Sequence, residues 1–164
     1  MKIIFLLIFL FFSISIYSQS KIETENWIIT KFEKWKIDFN EPNLFNEHFS
    51  QLYVEKPISL RFIGCEMILK TSRSYTYSKF SQNRIYTINV GDIENFNWID
   101  GGNFYITSRK SNIKTTYNSK TEFNKSVAIC FNINAEENFK NRILKAFNYL
   151  KTFCTPTFDE KEIF

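Results

Sequence analysis

The chain has 164 residues, with 21 Lys and Arg against 17 Asp and Glu, 18% aromatics, one His, three Cys, four Gly and three Pro. A net charge of +4 is too small for a dedicated nucleic-acid binder. Scarce Gly and Pro among many aromatics exclude a disordered chain, and one His with no paired cysteines at ligand spacing excludes a zinc site.

Lys2 precedes an unbroken apolar run over residues 3–12, followed by Ser13, Ser15, Ser18 and Ser20. This is the layout of a secretory signal peptide, residues 1–18, cleaved after Ser18 or alternatively after Ser20. The run is shorter than the roughly 20 residues that span a bilayer, though an uncleaved anchor is the alternative. About 145 residues then remain, enough for one exported domain over residues 19–154, periplasmic or secreted, with no transmembrane segment after cleavage.

Residues 23–38 read as a helix, with Ile28, Phe32, Trp35 and Phe39 at helical steps and Ser20 with Glu23 as a capping box. Trp27, Phe32 and Trp35 are either packing or a binding face. Residues 40–56, bounded by Pro42 and Pro57, read as a connector. Strands begin at Ile58, and the apolar phase shifts at Gly64, as at a β-bulge. Residues 75–80 read as a second strand, Ser81-Gln82-Asn83 as a turn, and residues 84–90 and 93–99 as further strands. Asp100-Gly101-Gly102-Asn103 is the clearest hairpin signal. Residues 104–109 and 113–117 read as the next hairpin, 119–125 as a polar loop and 126–133 as the last strand. Residues 136–154 form the closing helix, with Phe139, Ile143, Ala146, Phe147, Leu150 and Cys154 on one stripe, and Pro156 ends it. A charged tail, residues 155–164, reads as mobile. The fold class is α+β and mainly antiparallel β: about seven strands in a sandwich or partly open barrel, closed by the C-terminal helix, with an additional N-terminal helix.

Cys65, Cys130 and Cys154 are an odd set for an exported chain. One pair plus one buried thiol is the simplest account, and three buried thiols are the alternative. Cys65 lies beside Met67 and Leu69 in phase, and Cys154 lies on the helix stripe, which favours the pair Cys65–Cys154. Charge is segregated: Lys70, Arg73, Lys79 and Arg84 lie between Met67 and Gly91 with no acid, and Arg109, Lys110, Lys114 and Lys120 follow between Gly101 and Thr121. The pattern fits either an anionic partner surface or solvated strand faces.

Strands followed by an amphipathic helix, with Ile88, Val90, Asp92, Ile93 and Phe96 at a strand-turn-strand, resemble the pleckstrin-homology-like (PH-like) fold of bacterial domains. NWIITKFEKW from Asn26, FIGCEMILK from Phe62, NRILKAFNYLKTFC from Asn141 and a tail ending in Phe164 resemble uncharacterised exported bacterial proteins of this layout. Asn89-Val90-Gly91 stands where the usual strand end is apolar-Pro-apolar. The resemblance implies no established activity. By fold analogy with PH domains that bind anionic lipid heads, it implies binding at Lys70, Arg73, Lys79 and Arg84.

Chemistry is hard to find. His48, the only histidine, has no nucleophile motif beside it. Glu41, Glu47, Glu55 and Glu66 would serve glycoside hydrolysis only if paired across a cleft. No P-loop, dinucleotide or metalloprotease pattern occurs, and no catalytic residue, cofactor or metal is expected. The first expectation is therefore an exported, non-enzymatic binding module for a protein or peptide partner, using a free sheet edge or the groove beside the closing helix. The alternatives are a lipocalin-like carrier of a small apolar ligand and a hydrolase without a recognised motif.

Overall fold

A computed structural model describes residues 20–36, 53–75, 80–99, 103–131 and 138–157. The expected signal peptide, residues 40–52 of the connector with Glu41, Glu47 and His48, Lys79 and residues 100–102 of the expected hairpin turn lie outside the described residues, whereas residues 53–56 of the connector are strand.

Helix α1 (Lys21–Trp35) starts where Ser20 and Glu23 cap one another. The Glu23 amide donates to Ser20 Oγ at 3.1 Å, and the Ser20 amide donates to Glu23 Oε2 at 2.7 Å. This reciprocal box fixes the helix start. Thr24, Ile28 and Phe32 face inward, so Phe32 belongs to the packing.

The described strands are β1 (Tyr53–Ile63), β2 (Glu66–Tyr75), β3 (Ser81–Asn89), β4 (Ile93–Ile99), β5 (Asn103–Ser108), β6 (Ile113–Tyr117), β7 (Lys120–Asn124) and β8 (Ser126–Cys130). They pair antiparallel in two sheets, ordered β1-β2-β3-β6-β7 and β4-β5-β8. A 3₁₀ turn, Val90–Asp92, carries the chain from the first sheet to the second. The class is α+β and mostly antiparallel, as expected. Among the described residues the two sheets do not close into a barrel.

Several boundaries differ from the expectation, each for a local reason. Gly64 is not a bulge but part of the turn joining β1 to β2, and its φ of +60° suits a residue without Cβ. The register irregularity falls instead between Pro57 and Ser59. β1 runs on N-terminal to Ile58 because it is the edge of its sheet, where Pro57 is tolerated. Ser81-Gln82-Asn83 opens β3 rather than making a turn, and β2 continues to Tyr75 to pair with it, Ser74 opposite Ser81. Residues 104–109 and 113–117 are not a hairpin. β5 pairs with β4 and β8, whereas β6 pairs with β3 and β7, so the intervening loop crosses between sheets. The expected polar loop at 119–125 contains β7.

Helix α2 (Phe139–Lys151) covers the aromatic face of the three-stranded sheet. Phe147 sits 4.9 Å from Phe96 and 5.4 Å from Phe104 between ring centres, and Phe139 sits 5.9 Å from Trp98 and 5.5 Å from Phe131. Phe32 of α1 meets Phe131 edge-on at 5.9 Å. One continuous apolar cluster joins these rings to Met67, Leu69, Ile88 and Ile113 of the larger sheet.

One end of the molecule is fastened covalently. Cys65, in the Gly64 turn, pairs with Cys154, just beyond α2, with Cα atoms 5.6 Å apart. Lys21 Nζ donates to the Gly64 carbonyl at 2.7 Å, and the Val90 amide donates to the Cys65 carbonyl at 2.9 Å. Residues 155–157, expected to be mobile, are held as well. The Thr157 amide donates to Asp92 Oδ1 at 2.7 Å, and the Thr157 hydroxyl donates to Oδ2 at 2.5 Å.

Candidate functional site

The inner face of the five-stranded sheet changes character along its length. At one end it presents Met67, Leu69, Ile88 and Ile113, all enclosed. Further along the same strands come Glu55, Thr71, Gln82, Arg84 and Thr115, which are polar and still buried. Alternation and register put them on one face: Glu55 opposite Arg73, Arg73 opposite Gln82, Thr71 opposite Arg84.

Glu55 is the hub. Its Oε1 accepts from the Thr71 hydroxyl at 2.6 Å and the Tyr86 hydroxyl at 2.5 Å. Its Oε2 accepts from Arg73 Nη2 at 2.7 Å and Nε at 3.2 Å. A carboxylate this buried is tolerable only with such a set of donors. Burial pushes the Tyr86 phenol well above its usual pKa. The Glu55 charge and hydrogen bond push the same way, while Arg73 and Arg84 oppose them.

Arg84 is 8% exposed. Its Nε donates to Gln82 Oε1 at 3.1 Å, and its guanidinium carbon lies 4.5 Å from the centre of the Tyr117 ring. The Tyr117 hydroxyl donates to Glu122 on β7, which raises the Tyr117 pKa.

Of the basic residues marked in the sequence, the fold brings Arg73 and Arg84 onto one face of adjacent strands. Lys70 is exposed on the opposite face, between buried Leu69 and Thr71, and Lys79 lies outside the described residues. Glu55 and Glu66 are not brought together: Glu66 starts β2 opposite Ile63 and Asn89, at the far end from Glu55. Thr71, Gln82 and Tyr86 escaped sequence reasoning. The usable signal was the two-residue phase running Leu69-Thr71-Arg73 and Ile88-Tyr86-Arg84-Gln82, in which the inward positions turn polar.

Two further surfaces stand out. Between α1 and α2 lies a groove of about 290 Å³ lined by Trp27, Tyr149, Arg142 and Lys145, with Thr24 and Ala146 at its base. Arg142 sits 5.3 Å from the Trp27 ring centre. The other surface is the edge strand β7. Asn118 and Ser119 both have positive φ, 43° and 63°, which makes a two-residue type I′ turn. In such a hairpin Tyr117 and Lys120 exchange both backbone bonds. Lys120, Glu122 and Asn124 therefore bond toward β6, and the N–H and C=O groups of Thr121 and Phe123 point away from it. Among the described residues no strand lies on that side. Phe123 is 63% exposed.

Among the described residues no three His, Cys, Asp or Glu side chains gather as a metal site, and no helix is long and apolar enough to cross a membrane. Comparison of the chain with protein-family models, with curated proteins and with solved structures gave no match.

Proposed function

We propose that this chain is an exported, non-enzymatic binding module that takes an extended segment of a protein partner onto the outer edge of β7. The observation that carries this reading is the open edge itself. Outward backbone groups at Thr121 and Phe123 form a template for strand addition, and Phe123 supplies an apolar anchor beside it. β7 contains no Pro and ends the larger sheet. Export is supported by the amino-terminal apolar run and by the Cys65–Cys154 pair, which persists best in an oxidising compartment. PH-like kinship rests on the sequence resemblance alone, and the placement of β6 and β7 beside β3 departs from a simple meander.

The test compares the wild-type chain with Thr121→Pro, which removes one outward donor and leaves the β6 ladder intact. Each is immobilised and exposed to envelope extract from the cells that make it. The expected result is a protein retained by the wild type and lost with Thr121→Pro, whose binding slows hydrogen exchange at the Thr121 and Phe123 amides. Equal retention by both chains, or retention of nothing, would overturn the reading.

A further inference from the structure

Buried guanidinium groups are normally matched by carboxylates. Arg73 follows that rule through Glu55. Arg84, two residues before Tyr86 on the same inner face, does not. Among the described residues its only hydrogen-bond acceptor is the neutral amide oxygen of Gln82, taken by Nε, and its flat face rests on Tyr117. Among the described residues both Nη groups lack an acceptor. Among the described residues neither is a fully enclosed unsatisfied atom, so the small exposure that Arg84 keeps leaves its Nη pair open to solvent.

The charge count points to what fills that opening. Among the described residues the polar end of the face holds buried Arg84 and Glu55 and part-buried Arg73, which leaves one positive charge over. Glu122 and Lys120 on β7 are exposed, so solvent screens them and they cancel. The stacking on Tyr117 and the bond to Gln82 hold the guanidinium plane still and present its two Nη groups side by side. That fork matches a planar carboxylate in bidentate fashion, and a single negative charge neutralises the excess. A phosphate dianion would overshoot it.

We infer that Arg84 is the receptor for the carboxylate of a small monoanionic ligand, bound at the polar end of the inner sheet face between β3 and β6. This site is separate from the outer edge of β7 and stands or falls without it.

The test is a titration of the full disulfide-bonded chain with sodium acetate at constant ionic strength. The Arg84 side-chain nitrogen signals are followed by NMR, with chloride and inorganic phosphate as parallel arms. Acetate is expected to shift the Arg84 signals saturably, and Arg84→Lys, which keeps the charge but loses the fork, to bind acetate roughly tenfold more weakly. Lys70→Gln, on the opposite face, is expected to bind as the wild type does. Three outcomes would overturn the inference: no saturable shift with acetate beyond that with chloride, tighter binding of phosphate than of acetate, or unchanged affinity in Arg84→Lys. If Arg84→Lys does not fold, the wild-type titration alone decides, because it reads the Arg84 nitrogens directly.

Discussion

Gly91 lies directly beneath Thr155: a Cβ built on Gly91 would stand 2.4 Å from the Thr155 carbonyl oxygen. The obstacle is backbone on both sides, so no side chain can swing away. Asp92, next in sequence and buried, grips Thr157 through both carboxylate oxygens, and its own carbonyl accepts from the Arg109 amide at 3.1 Å. The short turn between the sheets is thus a seat for the chain beyond α2.

Gly91→Ala is expected to cost about 1–3 kcal/mol, the range for forced overpacking. Asp92→Ala should cost a similar amount by leaving the Thr157 amide without its acceptor. Chemical denaturation gives the stabilities. Faster hydrogen exchange at Thr157, with α2 amides unchanged, would show that the loss is local to this seat.

The Glu55 cluster predicts an asymmetry. Glu55→Ala removes the carboxylate that two Arg73 nitrogens share, in a pair that is largely buried, and should cost about 3 kcal/mol. Tyr86→Phe removes one donor and leaves Glu55 with Thr71 and Arg73, so it should cost about 1 kcal/mol. Equal losses in urea unfolding would contradict the hub role of Glu55.

Tyr86 also makes stability depend on alkaline pH. Its phenol pKa is raised in the folded chain, first by burial. Below the unfolded value, near 10, the phenol is protonated in both states and its contribution is fully present. Above that pH the unfolded chain sheds the proton and the folded chain keeps it. Stability then falls as pH rises, by about 1.4 kcal/mol per pH unit for this one group. Tyr86→Phe should flatten the decline between pH 10 and 11 by about 1 kcal/mol, less than the full slope because the unfolded phenol is only half ionised at pH 10. Parallel curves for the two proteins would mean that Tyr86 is not the group responsible.

Ser119 offers the opposite sign. It holds a φ of 63°, at the second position of a type I′ turn that glycine ordinarily fills. Ser119→Gly should raise stability by about 0.5–1 kcal/mol, the relief of left-handed strain less the extra freedom of glycine when unfolded. A midpoint that falls would place the strain elsewhere.

The elements with one clear environment were legible in the sequence. The stripe from Phe139 to Leu150 marked the helix that covers the aromatic sheet, although that helix stops at Lys151 and not at Cys154, and β4 was readable to the residue because Asp92 and Asp100-Gly101 bracket it. Cys65 with Cys154 was readable as a pair, although Cys65 sits in a turn rather than on a strand. The rest failed where polarity did not report exposure. Gln82 looks like a turn residue but is buried beside Arg84, because that end of the sheet has a polar interior. β7 has no alternation to detect, since both of its faces meet solvent. The crossing between β5 and β6 depends on β6 finding β3, a long-range pairing that local sequence does not encode.

The Cys65–Cys154 bond joins residues 89 apart in sequence and makes a closed ring of most strands and all of α2. A protease that cuts this ring once does not divide the molecule. The two pieces stay tethered, migrate as an intact chain without reductant, and separate only when the bond is reduced. A first nick in any loop inside that ring therefore leaves the molecule in one covalent piece for as long as the bond stays oxidised.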